Sequence, residues 1–96
     1  MTRHYILTAL RDIMLEYLKE PRWGLREKEF KSRSDKLWAV DEVLDCVRHS
    51  NLPPEEAIIR FIHKCERFAR YPKTRDVFLT ARDVGITMLD LVRAMM

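Results

Sequence analysis

Residues 74–96 read TRDVFLTARDVGITMLDLVRAMM, and the spacing within this stretch decides the fold class. Its main apolar stripe is Val77, Phe78, Ala81, Val84, Met88, Leu91, Val92 and Met95. They recur at steps of three and four, the period that stacks side chains on one face of an α-helix. The pattern runs straight through Gly85. It predicts one helix over about 74–95, roughly 33 Å long. Gly85 costs such a helix about 1 kcal/mol relative to alanine. The competing reading breaks the chain at Gly85 and lets Thr87 cap a new helix; the uninterrupted spacing favours the first.

Working back from this segment, the same period recurs three times. Ala57, Ile58, Phe61, Ile62, Cys65, Phe68 and Ala69 form the core side of a helix over about 54–70. Pro54, Glu55 and Glu56 make it a favourable first turn, and Tyr71-Pro72 ends it. Leu37, Val40, Val43, Leu44 and Val47 form the buried face of a helix over about 34–50, with Ser34 as its cap and Asp35 in its first turn. Residues 20–33 are the least regular stretch, carrying Trp23 and Phe30. They read as a linker with at most a short helical turn around Glu27 to Phe30. Ile6, Leu7, Leu10, Ile13, Met14, Tyr17 and Leu18 mark a first helix over about 2–19, stopped by Pro21. Short loops between long helices favour antiparallel neighbours. The expectation is a single all-α domain, a small four-helix bundle-like arrangement with short loops.

Composition agrees. The chain has 96 residues, and only Gly24 and Gly85 are glycine. Scarce glycine disfavours a turn-rich β-sandwich. No run approaches the roughly 20 apolar residues that cross a bilayer. The apolar stretch after Tyr5 is soon interrupted by Arg11 and Asp12, unlike a signal peptide. A cytoplasmic location, with no membrane partner, is the default expectation. Net charge is +3, too small to demand or exclude a nucleic acid. Cys46 and Cys65 read as free structural thiols.

Few residues suggest catalysis. Asp41, Asp45 and His49 lie nearly in line on the second helix, flanked by Glu42, but no ExxH pair or matching acidic spacing completes a metal shell. Cys46-x-x-His49 and His63-x-Cys65 supply four zinc-type ligands on paper. His63 and Cys65 point to different helix faces, however, and the hairpin register offsets Cys65 from Cys46 by roughly 10 Å. Ser32, Ser34 and Ser50 fit linkers or caps. Two glycines cannot build a phosphate-cradling loop. The expectation is no enzyme, no cofactor and no metal.

The third helix carries a basic stripe, Arg60, Lys64, Arg67 and Arg70, continued by Lys73 and Arg75. Glu66 is the only acid between Arg60 and Arg75. Such a stripe can track phosphates. No set of Asn, Gln or Ser accompanies it to read base edges. It can equally be a solvated face or pair with the acidic second helix.

Ala81 to Thr87, followed by Leu91, resembles the helix-turn-helix pattern of DNA-binding proteins. That resemblance implies a turn at Gly85 and base-facing positions at Met88, Leu89 and Asp90, residue types that read DNA poorly. The stretches Lys36 to Leu44 and Val77 to Leu91 resemble small helical proteins of Gram-positive bacteria and their mobile elements. This implies a bacterial or phage origin and carries over no site.

Apolar residues outside the core stripes are the stronger lead. Trp38 falls on the polar face of the second helix. Leu79 and Ile86 fall opposite the main stripe of the last helix, seven residues apart. Such groups often mark interfaces, or can be covered by the linker and the first helix. The expected function is a non-catalytic helical interaction module, self-associating as a dimer or binding another protein through Trp38, Leu79 and Ile86. The alternative is a nucleic-acid-binding accessory protein using Arg60, Lys64, Arg67 and Arg70.

Overall fold

The computed structural model describes residues 3–19 and 27–96, with the backbone alone at residue 17 and residues 27–30. Four helices follow one another: α1 (Arg3–Tyr17), α2 (Glu27–His49), α3 (Pro54–Phe68) and α4 (Arg75–Met95). No strand occurs among the described residues. The protein is a small all-α, four-helix bundle-like domain. None of the described helices is long and apolar enough to cross a membrane.

α4 runs unbroken through Gly85. The helix-turn-helix geometry is therefore absent. Thr87 caps nothing: its hydroxyl donates to the Asp83 carbonyl at 3.1 Å, one turn back in the same helix. Gly85 is buried, and its value lies in its missing side chain. A β-carbon there would stand 3.0 Å from Ile62 Cγ1 and 3.2 Å from Phe61 Cδ1. The glycine lets α3 approach α4 closely. Glu55 and Arg93, at opposite ends of the two sequences, pair at 2.6 Å, so the two helices are antiparallel.

α2 corrects the expected boundary. It begins at Glu27, seven residues before Ser34, which lies exposed inside the helix rather than at its cap. Residues 27–33 contain neither glycine nor proline and are mostly good helix formers, so propensity extends the helix into the presumed linker. Pro21 and Trp23 lie outside the described residues, as does the side chain of Phe30.

Two arginines tie α1 and α2 into an antiparallel pair. Arg3, at the start of α1, donates to the carbonyls of Val47 at 2.8 Å, Leu52 at 2.6 Å, and Ser50. Arg33 of α2 donates through Nε to the Leu18 carbonyl at 2.9 Å, just past the end of α1. Each guanidinium satisfies carbonyls left open at the other helix's C-terminus, where positive charge is favoured.

The core draws on all four helices. Leu10, Val40, Val43, Val47, Ile58, Cys65, Met88 and Val92 are its most buried members. α4 touches each of the other three helices. Its buried arc is accordingly wider than one stripe: Leu89, which lies outside the apolar stripe read from spacing, is 7% exposed. The apolar stripes overshoot elsewhere. Ile13 is 43% exposed and Phe68 37% exposed, because each lies at the margin of its helix's contact face.

Candidate functional site

α3 presents Arg60, Lys64 and Arg67 from its outer side, and all three are exposed. Their positions in the helix make them near neighbours. The expected alternative of pairing with α2 does not occur. None of these residues, nor Arg70, Lys73 or Arg75, makes an ion pair among the described residues. Other arginines do: Arg48 pairs with Asp45 at 3.3 Å, Arg82 with Asp83 at 3.1 Å, and Arg93 with Glu55.

The turn from α3 into α4 brings further cations together. Residues 67–75 contain Arg67, Arg70, Lys73 and Arg75 and no acid. The turn is closed by its own backbone. The Tyr71 N–H donates to the Phe68 carbonyl at 3.3 Å, and the Thr74 N–H donates to the Tyr71 carbonyl at 3.1 Å. The Thr74 hydroxyl adds a bond to the Phe68 carbonyl at 3.1 Å. It thus serves the end of α3 rather than capping α4. Arg70, Arg75 and Arg82, with Glu66, Ala69 and Leu79, line an open depression of about 390 Å³. The sequence stripe contained Arg70 and its continuation Arg75 but gave no sign that Arg82 returns to meet them. That juxtaposition follows from the antiparallel α3–α4 pair.

Aromatic rings gather at the same end. Phe68 stacks on Phe78 with centroids 5.2 Å apart, and Trp38 of α2 meets Phe78 edge-on at 6.1 Å. Trp38 and Phe68 remain 41% and 37% exposed, and Tyr71 is 62% exposed. Trp38 is therefore partly covered by α4, not left alone on a polar face.

Leu79 is half-buried on the wall of the depression, while Ile86, two turns further along α4, is 42% exposed. Neither lies directly opposite the core, because Gly85 and Leu89 rotate the buried arc of α4 towards them. Trp38 meets Phe78, which projects about 100° from Leu79 around the helix.

A second depression, about 270 Å³, lies between α2 and α3, lined by Cys46, His49, Ser50, Leu52, Ala57, Arg60, Phe61 and Lys64. Both thiols are free. Burial pushes Cys65 up to about 11, against the opposing pull of Lys64. Burial likewise raises Cys46, again opposed by Lys64. Thiols held protonated in this way are weak nucleophiles and weak metal ligands. Ser50 is occupied in accepting the Leu52 N–H at 3.0 Å. Among the described residues no three His, Cys, Asp or Glu side chains gather where they could hold a metal ion.

The exposed cations and rings around the α3–α4 turn are thus the most distinctive chemistry on the described surface. Comparison with known proteins adds no relative: no family model matches the chain, and neither a curated protein nor a solved structure matches it significantly.

Proposed function

We propose that the protein is a non-catalytic helical interaction module that binds nucleic acid through its phosphates, using Arg60, Lys64, Arg67 and Arg70. One observation carries this reading. Three other arginines are paired with carboxylates, and Arg3 and Arg33 cap helices, while this clustered set has no anionic partner among the described residues. Clustered unpaired guanidinium groups raise the local potential and are suited to bidentate contact with phosphate oxygens.

The test is anisotropy of labelled DNA titrated with protein at several salt concentrations. Affinity should fall steeply with salt, by a logarithmic slope of about 0.7–0.9 per phosphate contacted. Replacing Arg60 and Arg67 by glutamate should weaken binding to all sequences alike and lower that slope by roughly 2. Absence of binding at low salt would refute the reading.

Self-association through Trp38, Leu79 and Ile86 is the second reading, favoured by the exposure of Ile86. Its electrostatic complement is weak. Arg82 and Arg93, the cations available to face Asp90 of a second copy, are already engaged by Asp83 and Glu55. Light scattering at high protein concentration separates the two readings: a dimer converted to a folded monomer by Ile86→Glu supports this one.

A further inference from the structure

We infer that the nucleic acid is single-stranded and that the α3–α4 turn is where it is held, with Tyr71 stacking on a base. This rests on the phosphate-binding reading above and adds to it the strandedness and a positioning residue.

The argument starts from the turn itself. Tyr71 stands between Arg70 and Lys73, and it is 62% exposed. Its ring makes no aromatic contact among the described residues. Leaving an aromatic ring in water forgoes its burial energy. Pro72 and the Thr74 hydroxyl bond to Phe68 restrict the backbone on which the ring is mounted, so little ordering would be needed to use it. Phe68 and Trp38, locked against Phe78, extend exposed ring surface from the same end of the bundle.

Cations flank Tyr71 along the chain, Arg70 immediately before it and Lys73 two residues after. Arg70 and Arg75 face the depression beside Arg82, which is already paired with Asp83, and the depression's one carboxylate, Glu66, still leaves it net positive. Rings interleaved with cations match what a flexible single strand presents: unstacked bases alternating with phosphates. A duplex hides its base faces and would meet the cations alone. Its base edges are read in the major groove, by Arg or Lys at guanine and by Asn or Gln at adenine. This chain has no Gln and a single Asn, Asn51, in the turn between α2 and α3. Stacking needs no edge readout, so the site should tolerate any base sequence.

The experiment compares four labelled probes at one salt concentration: a short single-stranded DNA, its duplex, an abasic strand of equal length, and heparin. The single strand should bind about tenfold or more tightly than the other three. Tyr71→Ala should remove that preference while leaving duplex and abasic binding unchanged, and Tyr71→Phe should keep it. Arg70→Glu plus Arg75→Glu should weaken all four. Circular dichroism on each variant reports that the fold is retained, as expected for exposed positions. Equal binding of the single strand and the duplex, or a Tyr71→Ala variant that keeps the preference, overturns this inference while leaving the phosphate-binding reading intact. Failure of both DNA forms to bind overturns both.

Discussion

Gly85 of α4 and Ile62 of α3 lie so close that a β-carbon on the glycine would stand 3.0 Å from Ile62 Cγ1. Two effects compete at this position. Alanine gains about 1 kcal/mol of helix propensity over glycine. Overpacking between two helices costs about 1–3 kcal/mol. The neighbours are a mid-chain isoleucine carbon and the edge of the buried Phe61 ring, neither of which swings away easily. Gly85→Ala should therefore destabilise the protein by about 1 kcal/mol. Urea denaturation checks this; a higher midpoint in the variant would show that α3 yields.

The reciprocal caps are testable in the same way. Arg3 reaches three carbonyls and Arg33 reaches one. Charge-assisted hydrogen bonds of this kind contribute about 1.5–3 kcal/mol, and carbonyls left unpaired add to the loss. Arg3→Ala should cost about 2–3 kcal/mol and Arg33→Ala less. Equal losses in thermal unfolding would count against the wider reach of Arg3.

Cys65 sets a pH dependence. Burial holds its thiol up to about 11, above the ordinary 9.0. The folded state therefore keeps this proton while the unfolded chain releases it. The stability this contributes is fully present below 9.0 and is lost as pH rises towards 11. Relative to Cys65→Ala, the wild type should lose ground across that window. Alkylation at neutral pH should be slow at Cys65 and faster at the half-buried Cys46. Equal rates would contradict the burial difference.

The face assignment of α4 predicts opposite outcomes for two residues three apart. Leu89→Glu places a charge among Val92, Met88 and their neighbours and should unfold the protein. Ile86→Glu places one in water and should change stability by under about 1 kcal/mol. Circular dichroism and thermal melts on both variants decide this, and similar losses would mean that the helix is rotated from the position described.

Periodicity alone determined the all-α class and most of the core, and it favoured the continuity of α4, which the structure decided. Val40, Val43, Val47, Ile58 and Met88 announce their burial by spacing, because an amphipathic helix must bury its apolar stripe. The start of α2 was illegible because a serine followed by an aspartate resembles a cap until the preceding residues are seen to continue the helix. Leu89 was not read as core because a single stripe assumes one contact face, whereas α4 is covered by three helices. The Arg3 and Arg33 caps were invisible for a different reason. Their acceptors are backbone carbonyls, which leave no mark in sequence.

The candidate site divides along the same line. Arg60, Lys64 and Arg67 share a helix, so their common face follows from 3.6-residue geometry and was readable at once. Arg70, Arg75 and Arg82 come together only because the chain reverses at Tyr71 to Thr74 and α4 lies antiparallel to α3. Trp38, Phe68 and Phe78 belong to three different helices, and only packing brings their rings into contact. Local spacing fixes which residues share a helix face; which faces meet is decided by how the apolar stripes of all four helices are buried together.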